Sequence, residues 1–491
     1  MQAIIDSVNS VVWSPAMVYF SLGAGLLFSF RTRFVQLRLF KTMCRLVFSS
    51  RSSGRGISSF QALSLSLSGR VGTGNIAGVA AAIGFGGPGA IFWMWVVAFL
   101  GASTAFIEST LGQIYKEELN GQLRGGPAFY LEKATGQKWA GVIFAVATIV
   151  AVGVLLPGVQ ANAISSAAEV ALGPGVKFQT FMGEITATSG TVGLIVVAAL
   201  AAIIFGGIKR IAHVTQVVVP IMAFLYLLVA LVIIAINISA LPSMIMLIIG
   251  DAFSPMAGLG AALGWGIRRG VFSSEAGIGT AAHASSAAEV RHPAQQGLVQ
   301  SLSVYIDTLI VCSATAFMIL LTNSYNVVSE VGGNVVQNLP LDIDPNGPAY
   351  TQQALESILP GSGPPFVAIA LLFFAFTTIL AYYYIAETNI SYLRRFIKIS
   401  GAMPTLKITL MFSAFYGAVR TSSIAWGLGD LGIGLMTWLN LIGMIAICFI
   451  SNPALKALND YESQLKLKTK ETSFDPEKLG IENADFWSNQ G

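Results

Sequence analysis

The chain has 491 residues, of which 54% are hydrophobic and 11% charged, and its formal net charge is +4. Soluble domains carry about 25% charged residues, so this composition excludes a soluble enzyme or a nucleic-acid-binding chain and points to an all-α polytopic membrane protein built as one bundle. Cys44, Cys312 and Cys448 are far apart and form no CxxC pair, which leaves no zinc site or disulfide framework and assigns them to packing.

A spanning helix needs roughly 17–25 mostly apolar residues. In chain order the apolar runs predict about 11 spans, at 14–30, 60–84, 88–112, 139–170, 191–206, 212–238, 260–286, 297–322, 364–390, 405–421 and 425–451. Three regions follow: an N-terminal span with a basic segment (1–59), a ten-helix core (60–451) and a polar tail (452–491). No basic segment precedes the first apolar run, so a cleaved signal peptide is not expected. Residues 34–48 mix apolar and basic side chains, which suits an interfacial helix on an anionic leaflet or a solvated connector. The loop at 323–363, with Glu330, Asp342 and Asp344, reads as a lid or a plain loop. The tail reads as partly disordered.

Lysine and arginine set the orientation. With the N-terminus outside and the C-terminus in the cytoplasm, only Lys177 and Arg420 fall outside, and only Arg70, Arg268 and Arg269 fall within spans. The rest of the 28 basic residues lie inside, including Arg51, Arg55, Lys468 and Lys470. Such a chain is expected in a plasma membrane, with lipid as a partner.

Two spans are interrupted. Ser68-Gly69-Arg70-Val71-Gly72-Thr73-Gly74-Asn75 breaks the second, and Gly270-Val271-Phe272-Ser273-Ser274-Glu275-Ala276-Gly277-Ile278-Gly279 breaks the seventh. Backbone that leaves helical geometry inside a bilayer must be buried in protein or line a wet cavity. With the first span set aside, the breaks fall in the first and sixth of ten helices, as inverted five-helix repeats over about 60–238 and 260–451 require. At the first break one half-helix offers amides to a carboxylate, and the other offers the Ser68 and Val71 carbonyls to a cation. Thr377 and Thr378 either complete a sodium site with those carbonyls or bond back to their own helix. Gln160 and Asn162, polar amides in an apolar helix, either touch substrate or glue helices together.

Arg70, Glu108, Arg268, Arg269, Glu275, Asp307 and Asp430 are the charges expected within the membrane. Most read as internal ion pairs. Glu275 lies in the second break, where it can orient the half-helices or meet a substrate amine. Arg268 and Arg269 can pair with Asp430 as an outer gate. His213, His283 and His292 form no ligand constellation, and no nucleophile–base motif of an enzyme is present.

Gly86-Gly87-Pro88-Gly89-Ala90-Ile91-Phe92-Trp93-Met94-Trp95, preceded by Val71-Gly72-Thr73-Gly74-Asn75, resembles the signature of the alanine or glycine:cation symporter family. Arg268-Arg269-Gly270-Val271-Phe272-Ser273, Phe376-Thr377-Thr378 and Trp426…Asp430…Asn440 match as well, so the resemblance covers about residues 10–450. It implies the leucine-transporter architecture with one extra N-terminal helix. It also implies cotransport of sodium with alanine, glycine or, in some members, D-alanine, and no cofactor beyond the transported ion. By that resemblance Thr73, Gly74, Asn75, Gln160, Phe272 and Ser273 line the substrate pocket, with Ser274 at a position where the family usually carries asparagine. Leu380-Ala381 stands where the family often has glycine and asparagine. These departures keep open a proton-coupled carrier or a carrier of a larger neutral amino acid such as glutamine. A monomer suffices for the mechanism.

Overall fold

A computed structural model describes residues 2–48, 56–180, 183–254, 258–328, 333–341, 343–398, 400–467 and 472–488. Arg51, Arg55, Glu330, Asp342, Lys468 and Lys470 lie outside the described residues.

Helix α1 (Gln2–Val12) bends by 42° into α2 (Pro15–Arg31), so the first span begins earlier than its apolar run suggests. The basic segment holds two short helices, α3 (Val35–Arg38) and α4 (Phe40–Leu46). Helix α5 (Ser59–Arg70) starts on a capping box, in which Ser58 and Gln61 bond each other's backbone amides. After the first break come a π-helical segment (Gly74–Gly78), α6 (Val79–Gly86) and α7 (Ala90–Ile114). Strands β1 (Glu117–Leu119) and β2 (Gln122–Arg124) form a hairpin before α8 (Pro127–Thr135).

Helix α9 (Lys138–Val150) runs through a π segment (Ala151–Leu155) into α10 (Leu156–Leu172). The hairpin β3 (Lys177–Thr180) and β4 (Gly183–Thr186) leads to α11 (Ala187–Ile204), α12 (Gly207–Ile236) and α13 (Leu241–Phe253). The second broken span is α14 (Leu259–Ser274) and α15 (Thr280–Ala287). Helix α16 (Pro293–Val304) passes through a π segment (Tyr305–Cys312) into α17 (Ser313–Leu321). The hairpin β5 (Asn326–Val328) and β6 (Asn334–Gln337) and α18 (Ala349–Ile358) precede the long helices α19 (Gly363–Leu393), α20 (Ala402–Ala418) and α21 (Ser422–Ile450). The last helices are α22 (Pro453–Lys466) and α23 (Asp485–Ser488).

Among the described residues, seven unbroken helices, or eight with the bent α1–α2 pair, are long and apolar enough to cross a membrane. The two broken spans and the 17-residue α20 make this compatible with eleven. Helices α11 and α12 are largely uncovered, with Phe224, Leu228 and Leu231 on the outside; such faces suit lipid rather than water. The run α16–α17 is buried at the centre. Tight crossings depend on small residues: a Cβ on Gly417 of α20 would run into the Gly158 backbone of α10. Beside that crossing Asn162 Nδ2 donates to the Gly417 and Arg420 carbonyls, at 3.1 and 2.6 Å, so Asn162 acts as interhelical glue.

Three segments differ from the sequence reading. Helix α13, too short to span, lies between the spans expected at 212–238 and 260–286, where the sequence reading places none, and its Asp251 accepts from the Gly89 amide at 2.7 Å, capping the start of α7. The loop after α17 is not plain coil: Pro345 packs on Gly84, and the Trp426 Nε1 donates to the Asn346 carbonyl at 2.7 Å. The tail is ordered where it is described. Helix α22 buries Leu455, Leu458 and Tyr461, and Trp487 of α23 is buried too.

Candidate substrate and ion site at two broken helices

The first break is tightly satisfied. Val71 leaves helical geometry (φ −76°, ψ 85°). The Gly72 amide donates to Asn75 Oδ1 at 2.9 Å, and the Thr73 amide and hydroxyl both donate to Gln160 Oε1, at 3.0 and 2.8 Å. The amides expected to stand open are therefore held by neutral side chains that occupy a carboxylate's place. On the other half-helix the Ser68 carbonyl accepts from Thr378 Oγ1 at 2.7 Å. A side chain at Gly72 has no room, since its Cβ would stand 2.5 Å from Thr378 Oγ1 and 3.0 Å from Gln160 Oε1.

The second break turns on Glu275 (φ 50°), Gly277 (φ 91°) and Gly279 (φ 98°). This left-handed geometry is free for the two glycines and strained for Glu275. Glu108 Oε2 accepts from the Gly277 amide at 3.2 Å and from Asn440 Nδ2 at 3.3 Å, while Asn440 Nδ2 also reaches the Gly277 carbonyl at 3.0 Å. Tyr382 OH donates to Glu275 Oε1 at 3.3 Å. The two breaks face each other: a Cβ on Gly69 would lie 3.0 Å from Glu275 Oε2, and one on Gly74 would lie 3.2 Å from Phe272.

Thr73 and Gln160 thus meet directly. Asn75 and Ser273 are joined by Asp307, to which Asn75 Nδ2 donates at 2.7 Å, Ser273 Oγ at 2.9 Å and Thr308 Oγ1 at 2.7 Å. Phe272 packs on Trp426 with ring centres 4.9 Å apart. Ser274 is buried, and its hydroxyl accepts from the Ala276 amide at 3.4 Å, inside the turn. Thr378 Oγ1 reaches both the Ser68 carbonyl at 2.7 Å and the Phe374 carbonyl of its own helix at 3.0 Å, whereas the Thr377 hydroxyl reaches its own helix, at Phe373 and Phe374, both at 3.0 Å.

Arg268 and Arg269 both pair with Asp430. Arg269 Nη2 lies 2.8 Å from Asp430 Oδ2, and Arg268 reaches the same oxygen. Arg269 is 1% exposed and sits over the Trp426 ring at 4.4 Å and the Trp265 ring at 5.1 Å. A buried charge needs such partners. Arg70, Glu108, Glu275 and Asp307 make no direct ion pair among the described residues, although Arg70 lies near enough to all three carboxylates to interact with their charge. Among the described residues none of the four has an oppositely charged atom within ion-pair distance; Arg70 Nη1 instead bonds the Gln300 carbonyl (3.2 Å) and Ser303. Arg70 Nε and Nη2 and Glu108 Oε1 are buried with no hydrogen-bond partner among the described residues.

Asp307 is the residue that sequence reasoning undervalued. Its signal was an acidic side chain in an otherwise apolar run, Val304-Tyr305-Ile306-Asp307-Thr308-Leu309-Ile310-Val311. The helix loosens there into the π segment that joins α16 to α17, and such bulges often mark functional positions. Its partners stand 232 positions away for Asn75 and 34 away for Ser273, so spacing could not reveal them. Cys312, assigned to packing, touches the same group, with its Sγ 3.1 Å from Ser273 Oγ. Between α5, α15 and α19 a cleft lined by Ser66, Gly69, Glu275, Thr280 and Tyr384 leaves about 10 Å³ for the centre of a water molecule, room for a single water.

The sequence model of the sodium:alanine symporter family matches residues 1–476. The chain belongs to this family. Its members are carriers, and the chain is a multi-pass membrane transporter rather than an enzyme. It is 53% identical to the putative sodium/proton-dependent alanine carrier protein YrbD of Bacillus subtilis, over 100% of this chain and 98% of that one. It is 40% identical to the probable sodium/glutamine symporter GlnT of the same organism, over 95% of this chain and 92% of that one. Among solved structures it is similar to MhsT in complex with L-phenylalanine, with a TM-score of 0.55 and 16% identity over 82% of this chain and 98% of that one. That likeness bears on the fold alone, and agrees with the leucine-transporter architecture that the resemblance implied.

Proposed function

We propose that this carrier takes up alanine, with glycine and D-alanine as further substrates, together with sodium, by alternating access across a bacterial inner membrane with the N-terminus outside. The observation that carries this reading is the pairing at the first break. The Ser68 carbonyl and the Thr378 hydroxyl offer oxygen to a hard cation. The Gly72 and Thr73 amides, now on Asn75 and Gln160, become carboxylate donors once those side chains turn aside. Phe272 and Trp426 limit the ligand's size, and the Arg268–Arg269–Asp430 cluster serves as the outer gate. Sodium is cargo here, and no cofactor is required. The alanine carrier named among the relatives supports the substrate class. Uptake of radiolabelled alanine into proteoliposomes, in sodium against choline medium, tests the proposal. Uptake several-fold higher in sodium is expected, and equal uptake in both would overturn it.

A second reading, proton coupling or a larger ligand such as glutamine, is favoured by Ser274 and by the names of YrbD and GlnT. Competition by unlabelled amino acids, repeated with an imposed proton gradient and no sodium, separates the two.

A further inference from the structure

The last described segment, residues 472–488, lies mostly beyond the 476 residues matched by the family's sequence model, yet it is docked by specific bonds. Trp487 is 6% exposed, and its Nε1 donates to the Gln113 carbonyl at the end of α7, at 2.8 Å. The Lys116 ammonium sits 4.5 Å from the Phe486 ring centre and 4.9 Å from that of Trp487. Asp485 pairs with Lys133 of α8 at 2.7 Å, and Lys133 pairs with Glu117 as well, at 2.8 Å.

The groups under this segment, Gln113 and Lys116, are bonded in turn to the junction of the two broken helices. Gln113 Nε2 donates to the Ser285 and Ala288 carbonyls at the end of α15, and Lys116 Nζ donates to the Ala288 carbonyl at 3.0 Å. The same stretch is bonded to the start of α5, since the Ile57 amide donates to the Ala287 carbonyl and the Glu289 amide to the Ile57 carbonyl, both at 3.0 Å. A short line of contacts therefore runs from Trp487 through Gln113 and Lys116 to the place where α5 and α15 are clasped.

We infer that residues 472–488 are a strap that holds α5 and α15 together on one face of the carrier and opposes the opening of that side. The inference rests on the proposed orientation only in calling that face cytoplasmic, and on no choice of substrate. Buried aromatic rings anchor the strap, while the Asp485 end of its ion pair stands in water, an arrangement that can release without unfolding the bundle.

The test reads accessibility rather than transport, so its failure is distinct from that of the proposed function. In full-length protein carrying Cys44→Ser and Cys448→Ala, Ser66→Cys places a reporter thiol in the cleft between α5 and α15. The parent without Ser66→Cys gives the blank for buried Cys312. Modification of the reporter by a membrane-impermeant maleimide is timed in inside-out vesicles. Adding Trp487→Ala is expected to raise the rate about tenfold, the scale of losing part of a buried ring's contacts and its hydrogen bond. Asp485→Lys, which sets two ammonium groups face to face, should raise it about threefold. The conservative Asp485→Glu keeps the pair and should leave the rate within about twofold of the parent. Asp485 is largely exposed, so its variants keep the test alive if Trp487→Ala does not fold. An unchanged or lowered rate in Trp487→Ala or Asp485→Lys, or an equal rise in Asp485→Lys and Asp485→Glu, would overturn the strap.

Discussion

At the first break the free backbone groups are held by neutral side chains, Asn75 of the break itself and Gln160 and Thr378 from distant helices, whereas at the second they are held by Glu108 and Asn440 around a turn shaped by two glycines of positive φ. Neutral amides and hydroxyls can be exchanged for a ligand's carboxylate or for an ion at small cost, because each partner keeps a hydrogen bond. A left-handed turn fixed by a buried carboxylate offers no such exchange. On the proposed function, the first break is then the place for binding chemistry and the second a shaped support for it. Substitutions at the first should change ion and substrate dependence, and those at the second should change stability.

The largest effect is expected at the support. Gly279→Ala places a Cβ at φ 98°, in overlap with Pro127 Cγ. Strain of about 1–3 kcal/mol from the backbone alone, with the overlap added, should lower the melting temperature in detergent by many degrees. Retained stability would remove the distinction between the two breaks. Next comes the ion side of the first break. Thr378→Ala should raise the sodium concentration for half-maximal uptake about tenfold, the scale of one good ligand. Thr377→Ala, whose hydroxyl serves its own helix, should change it less than about twofold. Equal effects from the two would place both hydroxyls at the ion.

That pair shows where sequence reasoning stops. Adjacent residues on a helix point about 100° apart, and both threonines are fully buried, so nothing local says which faces Ser68. The breaks themselves were legible, because Gly69, Gly72, Gly74, Gly277 and Gly279 interrupt apolar runs. The pairing of Arg268 and Arg269 with Asp430 was among the readings the sequence offered, since buried charges seek opposite partners. Asp307 was not, since its hydrogen-bond donors Asn75 and Ser273 come from distant helices. Nor was the docked tail, whose polar average hides Tyr461, Phe474 and Trp487 among lysines and glutamates.

A smaller effect tests the outer charges against the first break. Arg269 is enclosed by Trp265 and Trp426, whereas the Arg268 side chain is 20% exposed. Removing Arg269 leaves the buried Asp430 with only the part-solvated Arg268 and empties the space between two rings, while removing Arg268 leaves the enclosed pair in place. Arg269→Ala should therefore lower uptake well below Arg268→Ala, with the sodium dependence of both unchanged. A shifted sodium dependence would tie the outer charges to the ion site.

The smallest effect concerns pH and lies outside the spans. Burial lowers the Lys116 ammonium from its ordinary 10.5 to about 7, with Glu289 pulling it back up. Gln113 Oε1, the Ala288 carbonyl and the rings of Phe486 and Trp487 surround it. Because the folded value lies below the unfolded one, the unfolded chain binds more protons between about pH 7 and pH 10, and stability due to Lys116 rises with pH across that window. Below about pH 7 the lysine is charged in both states, and its contribution is flat. Lys116→Met removes this slope, and comparison with the parent cancels every other titrating group. Melting curves at about pH 7, 8 and 9 should show the parent gaining on Lys116→Met by a few degrees as pH rises. A gap that stays flat as pH rises would mean that Lys116 is charged throughout, held by the two rings rather than weakened by burial.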